Sequence, residues 1–537
     1  MRFPIILSLG LSAVAVMIGL SVVWLPAPLS SSAPASKFSA ERAWRHVNII
    51  AQKPHPAGSQ ENIRVRTYLE SELSSLGLVV RVLPANHGQL RLANIYGELA
   101  GTDGVRPCIL LVSHYDSVTG GPGAADCASG VATLLETLRA IRAGPHLGNS
   151  VAVLFTDGEE LGMAGAKAFI RDHPELWRDI RVILNLEARG NQGPVIMFET
   201  SPGAGMLITL LSKQCPYPIA CSYSREIYRR LPNDTDFTEF LEAGRAGMNF
   251  SFIGGLEYYH SPNDTPENLS RRTLQHYGSY LLPLTIAMGQ AALVELDQAT
   301  NSAEATYFPL SRGLLVRYPQ KIGTALPWLT LFLFALAVMR QRKLLRPGRI
   351  IGGLIIGFLA IVLSAGLSFL TLKLLRWAHN PAGKGLFIVG LPFEEAYLLL
   401  LVFGAAAITL GLNAWLLRRL HPEERLVCAL LPWFGFMVVT EWYAPGAAYV
   451  FLWPTILGIL AMLLPAGKTG TPNTFLRRAL TAMPAPLLLA PALFLLNQAV
   501  TIGIAPFSAA LAAIAFNLAC APGFRADSAP MIPPAST

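Results

Sequence analysis

Between residues 41 and 298 short apolar runs alternate with polar, glycine-rich breaks, and beyond Ala325 the chain turns almost continuously apolar. Seven runs have the length and β-branched content of strands: Val79–Leu83, Leu92–Tyr96, Ile109–Val112, Val151–Phe155, Val182–Leu186, Val195–Phe198 and Met248–Phe252. Helical spacing appears over Ser59–Leu76, where Val65, Leu69, Leu73 and Leu76 form one stripe and Gly77 stops it. Further helical patterns cover Ser129–Ile141 and Gly165–Arg171. The alternation predicts an α/β layer structure with its chemistry at the strand carboxyl ends.

The apolar segments read differently. Phe3–Leu25 is long enough to cross a bilayer core of roughly 30 Å, which takes about 20 residues. An uncleaved anchor is the reading adopted, with a signal peptide cut near Ser30–Ser36 as its rival. After Ala325, apolar runs near 325–339, 350–375, 391–417, 426–444, 447–465, 481–503 and 505–521 predict about seven more spans. The expected order is an anchor over 1–29, a linker over 30–40 and a soluble domain over 41–298. A second linker covers 299–321, an all-α multi-span transmembrane domain 322–521, and a tail 522–537.

Composition agrees with this division. Hydrophobic residues make up 52% and charged ones 14% of the 537, too apolar a balance for a wholly soluble enzyme. Basic residues sit in alternate loops: Arg2; Arg340, Arg342, Lys343, Arg346 and Arg349; Arg418, Arg419 and Arg425; Lys468, Arg477 and Arg478. With those loops cytoplasmic, every span alternates correctly and the soluble segment lies outside the cytoplasm, facing a periplasm or a lumen. The net charge of +8 then follows largely from topology, and no pattern of basic and aromatic residues suggests nucleic acid. Cys215 and Cys221 either close a small disulfide loop or are free. Glu394, Glu395 and Glu441 lie in or near spans, beside Pro392 and Trp442, as expected of interfacial positions.

Chemistry gathers where strands end. Ser113-His114-Tyr115-Asp116 follows one strand, placing His114 as a metal-ligand candidate with Asp116 behind it to hold the imidazole tautomer. Gly123-Ala124-Ala125-Asp126 presents Asp126 in a turn before a helix, where a plain N-cap is the bland alternative. Asp157, Glu159 and Glu160 crowd one turn, which costs energy unless cations neutralise them. Glu187 and His260 complete a nitrogen and oxygen donor set without thiolates, suited to catalytic Zn²⁺. Five ligands exceed one tetrahedral ion but suit two metals sharing a carboxylate, which together activate a water and polarise a carbonyl.

The motifs His-x-Asp, Gly-Ala-x-Asp-x-x-Ser-Gly, Asp-Gly-Glu-Glu-x-Gly, Asn-Leu-Glu-Ala-x-Gly and Tyr-His-x-x-x-Asp-Thr together resemble the di-zinc aminopeptidases of metallopeptidase family 28. The likeness covers roughly residues 41–295. A peptidase domain ahead of many spans is similar to the endoplasmic-reticulum metallopeptidase and vacuolar membrane protease branch. The resemblance implies a mixed central β-sheet sandwiched by helices, peptide substrates and two Zn²⁺ per chain. By it, His114, Asp126 and Glu187 hold one zinc, and Asp126, Glu160 and His260 the other. Glu159 is the base for the attacking water, Tyr259 stabilises the oxyanion, and Asp116 orients His114. Asn233–Phe237 resembles a family loop at the cleft edge, with a polar helix cap as the bland reading.

Two positions depart from the family pattern. Secreted members usually carry Asp where this chain has Glu187, and Cys127 replaces the usual Asp or Asn. Glutaminyl-cyclase-like chemistry with one zinc, and a non-catalytic scaffold, are the competing readings. Survival of every expected ligand argues against both.

Overall fold

The structure is a computed structural model that describes residues 2–103, 108–297, 304–379, 394–416, 420–465 and 471–523. The chain divides into a sheet unit, Val22–Gln320, and a helical unit, Met1–Ser21 with Lys321–Thr537.

In the sheet unit, strands β1 (Val79–His87), β2 (Leu90–Leu99), β3 (Cys108–His114), β4 (Ser150–Thr156), β5 (Ile180–Ala188), β6 (Gln192–Thr200) and β7 (Ala246–Gly254) form one seven-stranded sheet. Its order is β1-β2-β4-β3-β5-β7-β6. The inner strands β4, β3, β5 and β7 run parallel, and β1, β2 and β6 pair antiparallel at the flanks. Each of the seven apolar runs read from the sequence lies inside one of these strands.

Numbering helices along the whole chain, α1 is Arg2–Leu20 of the helical unit. The sheet unit holds α2 (Ala40–Ile50), α3 (Gln60–Ser75), α4 (Gly130–Arg142), α5 (Ala164–Asp172), α6 (Pro174–Trp177), α7 (Gly205–Gln214), α8 (Ser222–Tyr228), α9 (Asp236–Glu242), α10 (Arg271–Gly289) and α11 (Leu293–Asp297). Period-two alternation decides which face each strand residue serves. Ile109, Leu111, Val151, Val153, Val182 and Leu184 join one core with α2, α3, α4, α7 and α10. Leu110, Val112, Ala152, Leu154 and Ile183 pack on the other face against Phe169 of α5 and Phe237 and Phe240 of α9. Every residue of β3 and β4 is buried, as expected of parallel strands covered on both faces. The architecture is thus a mixed central sheet sandwiched by helices.

Some boundaries fall elsewhere than expected. The segment 299–321, read as a linker, carries the hairpin β8 (Ala305–Ser311) and β9 (Leu314–Pro319), turning at Gly313 with φ +79°. Its Tyr307 and Leu315 are buried in the sheet unit's main core. Alternating apolar positions either side of a glycine are a hairpin signal, and two short strands suffice once they pack on a larger body. The expected linker over 30–40 likewise ends in a built helix start, with Ser39 fully buried and capping α2. Cys215 and Cys221 are both buried and form no disulfide with each other.

The helical unit contains α1, α12 (Gln320–Gln341), α13 (Pro347–His379), α14 (Glu394–Leu416), α15 (Pro422–Tyr443), α16 (Tyr449–Leu463), α17 (Pro472–Ala482), α18 (Pro484–Val500) and α19 (Ala505–Cys520). Among the described residues, six helical stretches are long and apolar enough to cross a membrane, one of them the stretch Pro472–Cys520 that runs through α17, α18 and α19. Tyr449–Leu463 is a shorter apolar helix. α1 lies so close to α18 that a Cβ on Gly19 would stand 2.5 Å from the Leu487 carbonyl oxygen. Arg477 of α17 pairs with Glu423 of α15 at 2.6 Å, both almost fully buried. Arg418, Arg419, Lys468 and Pro392, used above for topology, lie outside the described residues, as does the tail beyond Gly523.

Candidate metal centre

Parallel strands deliver their carboxyl ends to one edge of the sheet, and the expected ligands arrive there together. His114 is the last residue of β3, Glu187 the penultimate residue of β5, and Glu160 lies in the turn after β4. Asp126 sits in the tight turn Ala124–Ser129 that leads into α4. Gly123, at φ +69°, opens that turn, and a Cβ there would lie 2.6 Å from the Asp126 carbonyl oxygen. His260 follows β7 and a short 3-10 turn, with its backbone in the left-handed region at φ +53°. Few non-glycine residues adopt that conformation, so its occurrence here marks a constrained site.

Asp126 stands at the centre. Its Oδ1 lies 3.2 Å from His114 Nε2 and its Oδ2 lies 3.2 Å from His260 Nε2. Glu187 Oε2 is 3.6 Å from His114 Nε2, and Glu160 Oε1 is 3.1 Å from His260 Nε2. The donors therefore form two groups that share Asp126: His114, Asp126 and Glu187, with Cys127 alongside, and Asp126, Glu160 and His260. His114 is buried, with 1% of its side chain exposed, whereas His260 keeps 38%.

The tautomer of His114 tests whether a cation fits. Its Nδ1 lies 3.0 Å from the Asp116 carbonyl oxygen, which can only accept, so the neutral ring carries its proton there. The Nε2 lone pair then faces two carboxylate oxygens, an arrangement that needs a cation between them. Glu160 Oε1 is buried too, and its one close polar neighbour is His260 Nε2, 3.1 Å away, off the angle of a hydrogen bond. Zinc bonds of about 2.0–2.1 Å at tetrahedral angles separate donors by about 3.3 Å, which the observed spacings match. The residues fit zinc.

The same crowding shifts the titration of these groups. Burial works against charging His114, yet hydrogen bonds to Asp116 and Asp126 hold its pKa well above the ordinary histidine value. His260 is likewise raised to about 9, where contacts with Asp126 and Glu160 outweigh burial. Burial lifts Glu187 to about 8 and holds Glu159 well above the carboxylate range. Burial would also raise Asp126, but its two histidine partners outweigh that and keep it low.

The remaining predicted site residues surround this centre. Asp116 meets His114 chiefly through its backbone oxygen; its Oδ1 lies 3.6 Å from Nδ1 and accepts from the Glu159 amide at 3.1 Å. One aspartate thus fixes both the imidazole and the segment bearing Glu159. Tyr259 stacks on the His260 ring with centroids 3.8 Å apart. In the Asn233–Phe237 loop the helix cap is Thr235, while Asp236 is fully buried and accepts from Thr156 Oγ1 beneath the site.

Two supports carried no assigned role in the sequence. Asp264 accepts from the amides of Ala125 at 2.7 Å and Asp126 at 3.2 Å, clamping the turn that carries the shared ligand. Burial raises its carboxyl to about 7. Its signal was present as the Asp of the Tyr-His-x-x-x-Asp-Thr motif. Tyr277 of α10 donates to the carbonyl oxygen of Glu187 and lies 3.2 Å from that of Phe250, tying β5 to β7. Nothing local in the sequence marks that contact.

A central sheet with a carboxylate and histidine centre at its carboxyl edge defines a metallopeptidase-type domain, and residues 94–285 match the family model "Peptidase family M28". The chain carries a domain of that family. Endoplasmic reticulum metallopeptidase 1 of Rattus norvegicus is 29% identical over 261 residues, covering 48% of this chain and 29% of that protein. Vacuolar membrane protease of Candida tropicalis is 30% identical over 271 residues, covering 47% and 29%. The match thus spans under a third of either relative's length. The solved structure of an aminopeptidase from Aneurinibacillus sp. strain AM-1 aligns with TM-score 0.41 and 14% identity, over 48% of this chain and 95% of that one.

Proposed function

We propose that this chain is a membrane-embedded zinc metallopeptidase that removes residues from the amino termini of peptides on the non-cytoplasmic side. One observation carries the reading: the two oxygens of Asp126 face two different histidines, each 3.2 Å away. That is the donor arrangement for two Zn²⁺ per chain, one held by His114, Asp126 and Glu187 and the other by Asp126, Glu160 and His260. Zinc, when bound, supplies Lewis-acid polarisation of the scissile carbonyl and acidifies a water.

The protein's own groups do the rest. Glu159 takes the proton from the attacking water and returns it to the leaving amine, placed for this by its position beside Glu160 in the turn after β4. Asp116 aims it by binding its amide. The Tyr259 hydroxyl donates to the oxyanion, its ring fixed by stacking on His260.

The test uses the full chain purified in detergent and reloaded with zinc. Two zinc equivalents and stepwise loss of N-terminal residues from a peptide library, read by mass spectrometry, are expected. Internal cuts would overturn the aminopeptidase claim, and one zinc with cyclised N-terminal glutamine would favour the cyclase reading. Glu159→Gln lowers turnover by about 10²–10⁴-fold with zinc content unchanged.

A further inference from the structure

Glu187 is braced from behind by a row of polar side chains crossing three strands. Asn185, two residues earlier on β5, donates from Nδ2 to Glu187 Oε1 at 3.0 Å and to Asn249 Oδ1 at 3.0 Å. Asn249 pairs with Asn185 in the β5–β7 register. It donates from its own Nδ2 to Glu199 Oε2 at 3.2 Å and to Thr235 Oγ1 at 2.9 Å. Glu199 is its register partner on β6. Asn185 and Asn249 are fully buried, and Glu187 and Glu199 are each 6% exposed.

The row has a defined polarity. A carboxylate that binds a cation is ionised and only accepts, so Glu187 as a ligand fixes which end of the Asn185 amide faces it, and an ionised Glu199 does the same for Asn249. Only Asn249 Oδ1 is then left for the second hydrogen of Asn185, and both amides spend both N–H groups. A buried row of this kind is costly unless every donor is placed. Here the price is met by orienting a ligand: holding Oε1 from behind leaves Oε2 turned toward His114 Nε2.

We infer that Asn185 and Asn249 are positioning residues for Glu187, with Glu199 anchoring the row from the edge strand. The inference rests on the zinc reading above. Its consequence is one-sided, because the row touches Glu187 but not Glu160 or His260. Partners behind a metal ligand are worth about 10–100-fold in metal affinity.

The test is a zinc titration of metal-free, full-length protein in detergent against a chromophoric chelator, with apo-protein unfolding temperature measured alongside. Asn249→Leu weakens one of the two zinc equivalents by about 10–100-fold and leaves the other at its parent value. Glu199→Leu, at the sheet edge and remote from the ligand, gives a smaller loss in the same equivalent. Glu199→Gln keeps an acceptor for Asn249 and restores parent affinity. Equal weakening of both equivalents overturns the relay, as does a lowered unfolding temperature with both affinities unchanged. Parent protein that takes up no zinc instead overturns the metal reading and the relay with it.

Discussion

At the scale of single residues, the centre depends on side chains that come from four strand ends and the turn into α4, and on a few that hold them. His114, Asp126, Glu160, Glu187 and His260 were legible because metal-ligand types recur at the ends of apolar runs, where an α/β sheet gathers its chemistry. Asp264 stood in a motif without a role, and Tyr277 and Asn249 gave no signal at all, because their contacts join positions far apart in the chain and obey no local period. Asp264 deserves a direct test, since its carboxylate satisfies two buried amides at once. Asp264→Ala strands both, and each unmet amide costs about 1–3 kcal/mol. The expected result is lowered stability in denaturant melts together with weaker binding of both zinc equivalents, because Asp126 serves both groups. Unchanged zinc affinity would show that the turn keeps its shape without the clamp.

At the scale of elements, the strands were readable and the longest helix of the sheet unit was not. Short apolar runs, broken in β5 only by Asn185, gave β3, β4 and β5, and the residues of those runs are buried on both faces. Helix α10 escaped notice because it is buried almost all round and contains Pro283, so no single apolar stripe announces it. Its His276 makes a prediction. Nδ1 accepts from the Val195 amide at 3.0 Å and Nε2 faces the Tyr217 carbonyl oxygen at 3.1 Å, a pattern only the neutral ring satisfies. Burial lowers its pKa to about 4. The unfolded chain, titrating near 6.5, therefore takes up the proton first as pH falls. The stability contribution is full above about 6.5 and is lost progressively toward pH 4. Between pH 7 and pH 5 the folded state loses about 2 kcal/mol through this group. His276→Gln removes that increment, so parent and variant should diverge in the pH dependence of their denaturant midpoints. Parallel curves would mean the imidazole stays paired when charged.

At the scale of the whole molecule, the division into a sheet unit and a helical unit follows the composition, and the proposed orientation rests on the basic loops. All six cysteines are buried, which makes introduced thiols easy to read. A membrane-impermeant thiol reagent applied from the non-cytoplasmic side should label Lys53→Cys and spare Lys343→Cys. The opposite pattern would invert the topology. The paired register of β3, β4 and β5 has one more consequence. A slip of one residue in β3 would bring Ser113 to the place of His114 and turn the imidazole to the other face of the sheet. Such a misfolded chain keeps its hydrogen-bond count but loses a donor. Bound zinc would then act as a proofreader's mark, and the chelator-resistant fraction of a preparation would count the molecules whose strands have locked in step.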